Sequence, residues 1–190
     1  MTAILKVDTI QDTSGNNIIN ESSNTITIGA SGDTIAIPSG GKLTAPGHVL
    51  QVVFATTTTQ VNNNTTSYTD TNLTASITPS STSNKIYVIV NQANKLSESG
   101  NEAGSVIKIL RDSTTIYGGD QNYENFLSIG GASSVQRYDR NNLNFLDTPS
   151  STSSLTYKTQ ARAYSSGDVI SCQPENIKST ITLMEIAGWL

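Results

Sequence analysis

The sequence predicts an all-β protein: an N-terminal extended β-arm or intertwined β-prism over residues 1–47, then a jelly-roll-like β-sandwich over 48–190. Three observations lead there. The chain is rich in strand-forming residues, with 19 Ile and 26 Thr among 190, and no segment repeats its apolar residues with the 3.6 period of a helix. Short alternating runs are separated by Gly, Asn and Ser turns. No aromatic residue occurs in 1–47, and all eleven fall between Phe54 and Trp189, which marks a boundary at Ala45, Pro46 and Gly47.

The first segment carries turn signals at 13–17, 29–32 and 38–41. Residues 24–32 and 33–41 echo one another: Ile26 matches Ile35, Ile28 matches Ile37, and Gly32 matches Gly41. Each unit sets two isoleucines on one face of a short strand, because strand side chains alternate. A small turn follows, as in a coil of a β-solenoid. Such a stack needs about three repeats to bury its face, and only two are present. The apolar content is also too small to offset the entropy of ordering the segment. Ile26, Ile28, Ile35 and Ile37 are therefore expected to be covered by neighbours, either two further copies of the chain or another protein along which the arm lies. The competing reading is a flexible Gly/Ser linker.

Strands are predicted at 49–54, 65–69, 73–77, 85–90, 105–110, 113–117, 143–145, 155–164, 169–172 and 180–186. In the clearest of them Leu155, Tyr157, Thr159, Ala161 and Ala163 share one face, while Thr156, Lys158, Gln160 and Arg162 share the other. Ile181, Leu183 and Glu185 oppose Thr182, Met184 and Ile186, which predicts burial on both faces. Residues 93–104, polar and flanked by glycine, read as a loop. Strands in this number and spacing fit a jelly roll or related sandwich, long enough to bury a core of its own.

Charge and composition exclude several functions. Charged residues are 14% of the chain, against about 25% in an average globular protein. The net charge of −4, with no Lys/Arg run, argues against a nucleic-acid surface built on phosphate neutralisation. No apolar stretch approaches the roughly 20 residues that cross a bilayer, and the N-terminus has no signal-peptide pattern. Cys172 is the only cysteine, so no intrachain disulfide forms; on its strand it reads as a small buried hydrophobe. His48 is the only histidine and sits beside the boundary, and neither a phosphate-binding Gly-Lys loop nor a GxSxG elbow occurs. The sequence thus predicts no enzyme, no cofactor and no metal.

Two clusters are candidates for recognition. Residues 118–126 gather carboxylates, amides and aromatics in an expected loop. As a sugar-binding surface, Tyr123 or Phe126 would stack on a pyranose face while Asp120, Asn122 and Asn125 bond its hydroxyls. As a calcium loop, Asp120, Asn122 and Glu124 alternate suitably, but Asn125 stands where glycine is needed and the closing Glu is missing. As a glycosidase pair, Asp120 and Glu124 satisfy only the minimum test. The second cluster is Arg137, Tyr138 and Arg140 around Asp139, residue types enriched at binding hot spots and also common in turns and subunit contacts.

Three stretches carry a family resemblance: LKVDTIQDTSGNNI at 5–18, YTDTNLTASITPSSTSNKI at 68–86 and STITLMEIAG at 179–188. They resemble tail-fibre-like and virion appendage structural proteins of marine bacteriophages, of cyanophage or pelagiphage type. The resemblance implies a homotrimeric fibre or appendage in the virion; the arm over residues 1–47, too poor in apolar side chains to stand alone, is then expected to attach it to other virion proteins. The resemblance also implies a trimeric jelly-roll tip; separately, the low-charge, Ser/Thr/Asn-rich surface suits hydrogen bonding to glycans, so a host-surface glycan is a candidate ligand. The family brings no catalytic motif. The chain is short for a whole tail fibre, so a capsid decoration protein or head fibre stands as the alternative.

Overall fold

The computed structural model describes residues 8–11, 13–15, 17–22, 25–29, 31–37, 39, 45–98, 100, 102–119, 125–131 and 133–188. The regular elements among the described residues are strands, with one 3₁₀ turn at Pro174–Asn176. The chain divides into two units, 1–43 and 44–190. Gly47 donates its N–H to Ala187 O, and His48 O accepts from Ala187 N, so the segment after the break already belongs to the second unit.

The first unit is an antiparallel meander of β1 (Thr9–Gln11), β2 (Asn17–Ser22) and β3 (Thr25–Ile28). Ile10 stands opposite Ile19, and Ile19 opposite Ile28, so one isoleucine row crosses all three strands. All three are exposed, as are Ile26, Ile35 and Ile37. The nine-residue echo is broken: 25–28 is a strand, while 33–37 forms none. A strand must hand its N–H and C=O groups to a partner, and no described strand of this chain pairs with 33–37.

The second unit contains β4 (Val49–Thr57), β5 (Val61–Asn63), β6 (Thr69–Ile77), β7 (Lys85–Glu98), β8 (Glu102–Arg111), β9 (Thr114–Gly118) and β10 (Asn125–Ser128). These are followed by β11 (Val135–Asp147), β12 (Leu155–Ala163), β13 (Val169–Cys172) and β14 (Ser179–Ile186). One sheet runs β11–β7–β14–β4, with β13 and β5 continuing the last two positions along the other half of β7. The other runs β8–β12–β6, with β9 and β10 end to end on the free edge of β8. Merging β4 with β5, β9 with β10, and β13 with β14 leaves eight positions. The first pairs with the eighth, the second with the seventh, the third with the sixth and the fourth with the fifth, always antiparallel. This is a long hairpin rolled into a sandwich, the double Greek key of a jelly roll.

The inward faces make two apolar clusters. One holds Leu73, Ile86, Val88, Ile109, Tyr157, Ile181 and Leu183, the other Leu96, Ile107, Val135, Ala161, Ile170 and Cys172. Between them lies a polar layer of Thr71, Gln92, Thr159, Gln173 and Ser179, all buried. The predicted inward face of 155–163 is buried at every position.

Three sequence expectations need correction. Residues 65–68 are a turn, not a strand, because Asn63 captures them. Its Oδ1 accepts from Thr65 N at 2.8 Å, and its Nδ2 donates to Ser67 O and Ala161 O. Residues 93–104 are mostly strand, since β7 runs to Glu98 and β8 begins at Glu102. Gln92 and Asn94 point inward there, so polar residues occupy the positions where apolar ones signal a strand. Finally, β14 is buried on one face only: Thr182, Met184 and Ile186 remain half-buried.

Candidate functional site

The two predicted clusters partly converge at the open edge between β10 and β11. Asn125 and Phe126 open strand β10, where Asn125 pairs with Ser105 and Phe126 with Gly104. The expected loop is therefore a strand at its end, whereas Asp120, Asn122 and Tyr123 lie outside the described residues. The Phe126 ring meets Tyr164 edge-on, with centroids 6.4 Å apart. Gly104 lies beneath this pair, and a Cβ there would stand 2.8 Å from Tyr164 Cβ. Gly104→Ala is accordingly expected to destabilise the protein by about 1–3 kcal/mol through overpacking, measured by urea unfolding.

Arg137 reaches the same edge. Its Nη1 donates to Phe126 O at 3.4 Å, and its Nη2 pairs with the Asp139 carboxylate. Asn125 Nδ2 donates to Asn141 Oδ1 at 2.7 Å, and Asn94 Nδ2 donates to the same oxygen at 2.5 Å. Tyr138 and Arg140 project from the opposite face of β11, because successive strand residues alternate. The run 137–140 is thus two surfaces. Tyr138 lies under Lys95 Nζ, 5.7 Å from the ring centroid, and donates its hydroxyl to Glu175 Oε1. That bond raises the phenol pKa above its ordinary value. Arg140 donates to Asn91 Oδ1 and to Lys178 O. Both side chains brace the 173–178 turn, in which Gln173, Glu175 and Asn176 have positive φ.

Sequence reasoning missed the buried charges. Asp147 accepts from Arg111 Nη1 at 2.6 Å and from the Tyr157 hydroxyl at 2.7 Å. Burial, then the Asp147 carboxylate, pushes the Tyr157 pKa well above the usual phenol range. Glu185 accepts from Gln51 Nε2 (2.6 Å), Ser80 N (2.6 Å), Ser80 Oγ (2.8 Å) and Asn84 Nδ2 (2.5 Å). Burial alone would raise its pKa, but these donors outweigh it and hold the carboxyl below its ordinary value. The available signal was position: Glu185 follows Ile181 and Leu183 on an inward face, and a carboxylate there requires dedicated donors. These groups fasten loops to the sandwich. Burial pushes the Cys172 thiol up to about 12, so at neutral pH it is a protonated packing group. Among the described residues no three His, Cys, Asp or Glu side chains gather as metal ligands.

The outer face of the β8–β12–β6 sheet is charged. Lys108 Nζ sits 4.0 Å and Arg162 Cζ 5.3 Å from the Tyr68 ring centroid. Lys158 and Gln160 both bond Asp70. Burial raises the Asp70 pKa, but these two partners more than cancel the effect and lower it.

No protein-family description and no curated protein matches the chain. Among solved structures, a mutant VP2 protein of infectious bursal disease virus, in derived T=1 particles, aligns with 82% of this chain at 14% identity and a TM-score of 0.30. The chain spans 41% of that protein's length.

Proposed function

We propose that the protein is a non-enzymatic structural component of a bacteriophage virion, a homotrimeric tail fibre or fibre-like appendage. Residues 1–47 attach it to other virion proteins, and the jelly roll is displayed to the host surface, with glycan as ligand. The observation that carries the reading is the Ile10–Ile19–Ile28 row, exposed across a three-stranded sheet. A sheet that is apolar on one face buries that face against another layer, and assembly with neighbours supplies one. The sequence resemblance supports the virion setting. Three linked tips would turn weak glycan contacts into avid attachment, because later contacts form at high effective concentration. Of the sequence candidates, Asn125, Phe126 and Arg137 share one edge suited to such contacts, while Tyr138 and Arg140 hold a turn.

Mass spectrometry and antibody labelling of purified virions from the phage that encodes this chain test the proposal. The expected result is label on the tail, with purified protein competing for adsorption to host cells. Label on the capsid, with stripped particles less heat-stable than decorated ones, selects the decoration or head-fibre alternative. Absence from the particle removes the proposal.

A further inference from the structure

We propose that the outward face of the β11–β7–β14–β4 sheet is a docking surface for a second copy of this chain. Side chains on this face stand in register across all four strands. One row is Val52, Met184, Tyr87 and Leu146. The next is Phe54, Thr182, Ile89 and Asn144, and Val49, Ile186 and Lys85 begin a third. Cross-strand neighbours lie within contact range of one another, so the eight apolar side chains among these eleven make one largely apolar surface, interrupted by Thr182 and Asn144 and bordered by Lys85. Val52 and Phe54 on β4 are 55% and 62% exposed and Leu146 on β11 46%, while Tyr87, Ile89 and Met184 on the two strands between them are half-buried.

Size, composition and charge commit the occupant to a copy. Four strands by three rows, at strand and residue spacings of about 4.8 and 6.7 Å, cover on the order of 400 Å². That matches the largest apolar patch of a typical monomer and makes up about half of the roughly 800 Å² per partner in a stable interface. The adjoining row of Thr56, Thr180, Asn91 and Asn142 extends it with a neutral, hydrogen-bonding rim. An apolar centre bearing Phe, Tyr and Met, with charge at the border, is the composition of homo-oligomer interfaces. The chain carries a net charge of −4, so copies repel one another in general, yet these rows contain no acidic residue. The outer face of the other sheet carries Lys108, Lys158, Arg162 and Asp70, and apart from Tyr117 and Ile129 at its β9–β10 edge the exposed large apolar side chains of the second unit lie on the β11–β7–β14–β4 sheet. Turned toward a shared axis, three such faces close an apolar core. The inference deepens the oligomeric part of the proposed function but stands on the face alone.

The test is sedimentation velocity of the full chain at micromolar concentration, with hydroxyl-radical footprinting of Met184. Wild-type protein is expected to sediment as an oligomer, with Met184 protected relative to dilute samples. Phe54→Asp, and the milder Phe54→Ser should the first misfold, are expected to weaken association at least tenfold while keeping the β-sheet spectrum and a cooperative melt. Thr74→Asp, on the opposite sheet, is expected to leave association unchanged. A monomeric wild type overturns the proposal. So does an oligomer that survives both Phe54 variants with Met184 equally reactive at all concentrations. That last result would place the contact in residues 1–43 and leave the virion assignment standing.

Discussion

Replacing Glu185 with alanine is expected to destabilise the protein by about 2–4 kcal/mol, lowering Tm by on the order of 10 °C. The carboxylate is 1% exposed and takes four hydrogen bonds, from Gln51, both donors of Ser80, and Asn84. Charge-assisted bonds of this kind are the stronger class. Truncation leaves the buried Asn84 amide with Ser80 Oγ, at 3.1 Å, as its remaining acceptor and frees the 78–84 turn from the last strand. Ser80 and Gln51 lie nearer solvent and can turn to water, which keeps the loss below that of a fully enclosed ion.

The same site sets a pH dependence with a definite sign. The folded pKa of Glu185 lies below its ordinary value, so the native state binds the proton less readily than the unfolded chain. Its contribution is complete above the ordinary Glu pKa of about 4.3 and disappears as pH falls through the lower, folded value. Urea unfolding at pH 7 and at pH 3 reads this directly. Glu185→Gln should be less stable than wild type at pH 7 and should lose less on acidification. Parallel losses in the two proteins would show that another group carries the acid sensitivity.

Legibility in the sequence tracked apolar alternation. Strand β12 was readable because Leu155, Tyr157, Ala161 and Ala163 point inward and the residues between them are polar. The second half of β7 and most of β11 were not. In β7 the inward positions hold Gln92 and Asn94; in β11, Asp139, Asn141 and Asp147 break the pattern, leaving only 143–145 visible. Strand β10 was hidden for a related reason. Asn125 and Phe126 looked like the end of a polar loop, and only the tertiary approach of β8 at Gly104 makes them a strand. The candidate patches suffered from the same blindness: proximity in sequence joined Arg137 to Tyr138, and the pleat of β11 separated them while bringing Arg137 to Phe126.

Gln92→Leu is expected to produce a loss of similar size, about 2–4 kcal/mol, although it adds apolar volume to the core. Gln92 is fully buried and uses both ends of its amide. Its Oε1 accepts from Thr159 Oγ1 at 2.9 Å and Thr71 Oγ1 at 3.3 Å, and those two hydroxyls lie 2.5 Å apart. Its Nε2 donates to Ser179 Oγ at 3.1 Å. With its amide oxygen turned toward this group, Gln173 accepts from Gln92 Nε2 and Ser179 Oγ, and its nitrogen donates to the carbonyls of Thr59, Thr71 and Cys172. Leucine leaves the threonine pair and the Ser179–Gln173 pair without their shared partner, each in an enclosed layer. The triple variant Thr71→Val, Gln92→Leu, Thr159→Val removes the orphaned hydroxyls as well. It is expected to recover part of the stability lost by Gln92→Leu alone, a non-additivity that marks a single network. Recovery also exposes what the layer does. Thr71, Gln92, Thr159 and Ser179 come from four strands, and sliding any one by two residues places an amide or hydroxyl against leucine or isoleucine. The polar layer therefore locks the register of both sheets. The triple variant should give broader amide resonances than wild type even where its melting temperature has partly returned; sharp, wild-type-like resonances would show that the apolar clusters fix the register unaided.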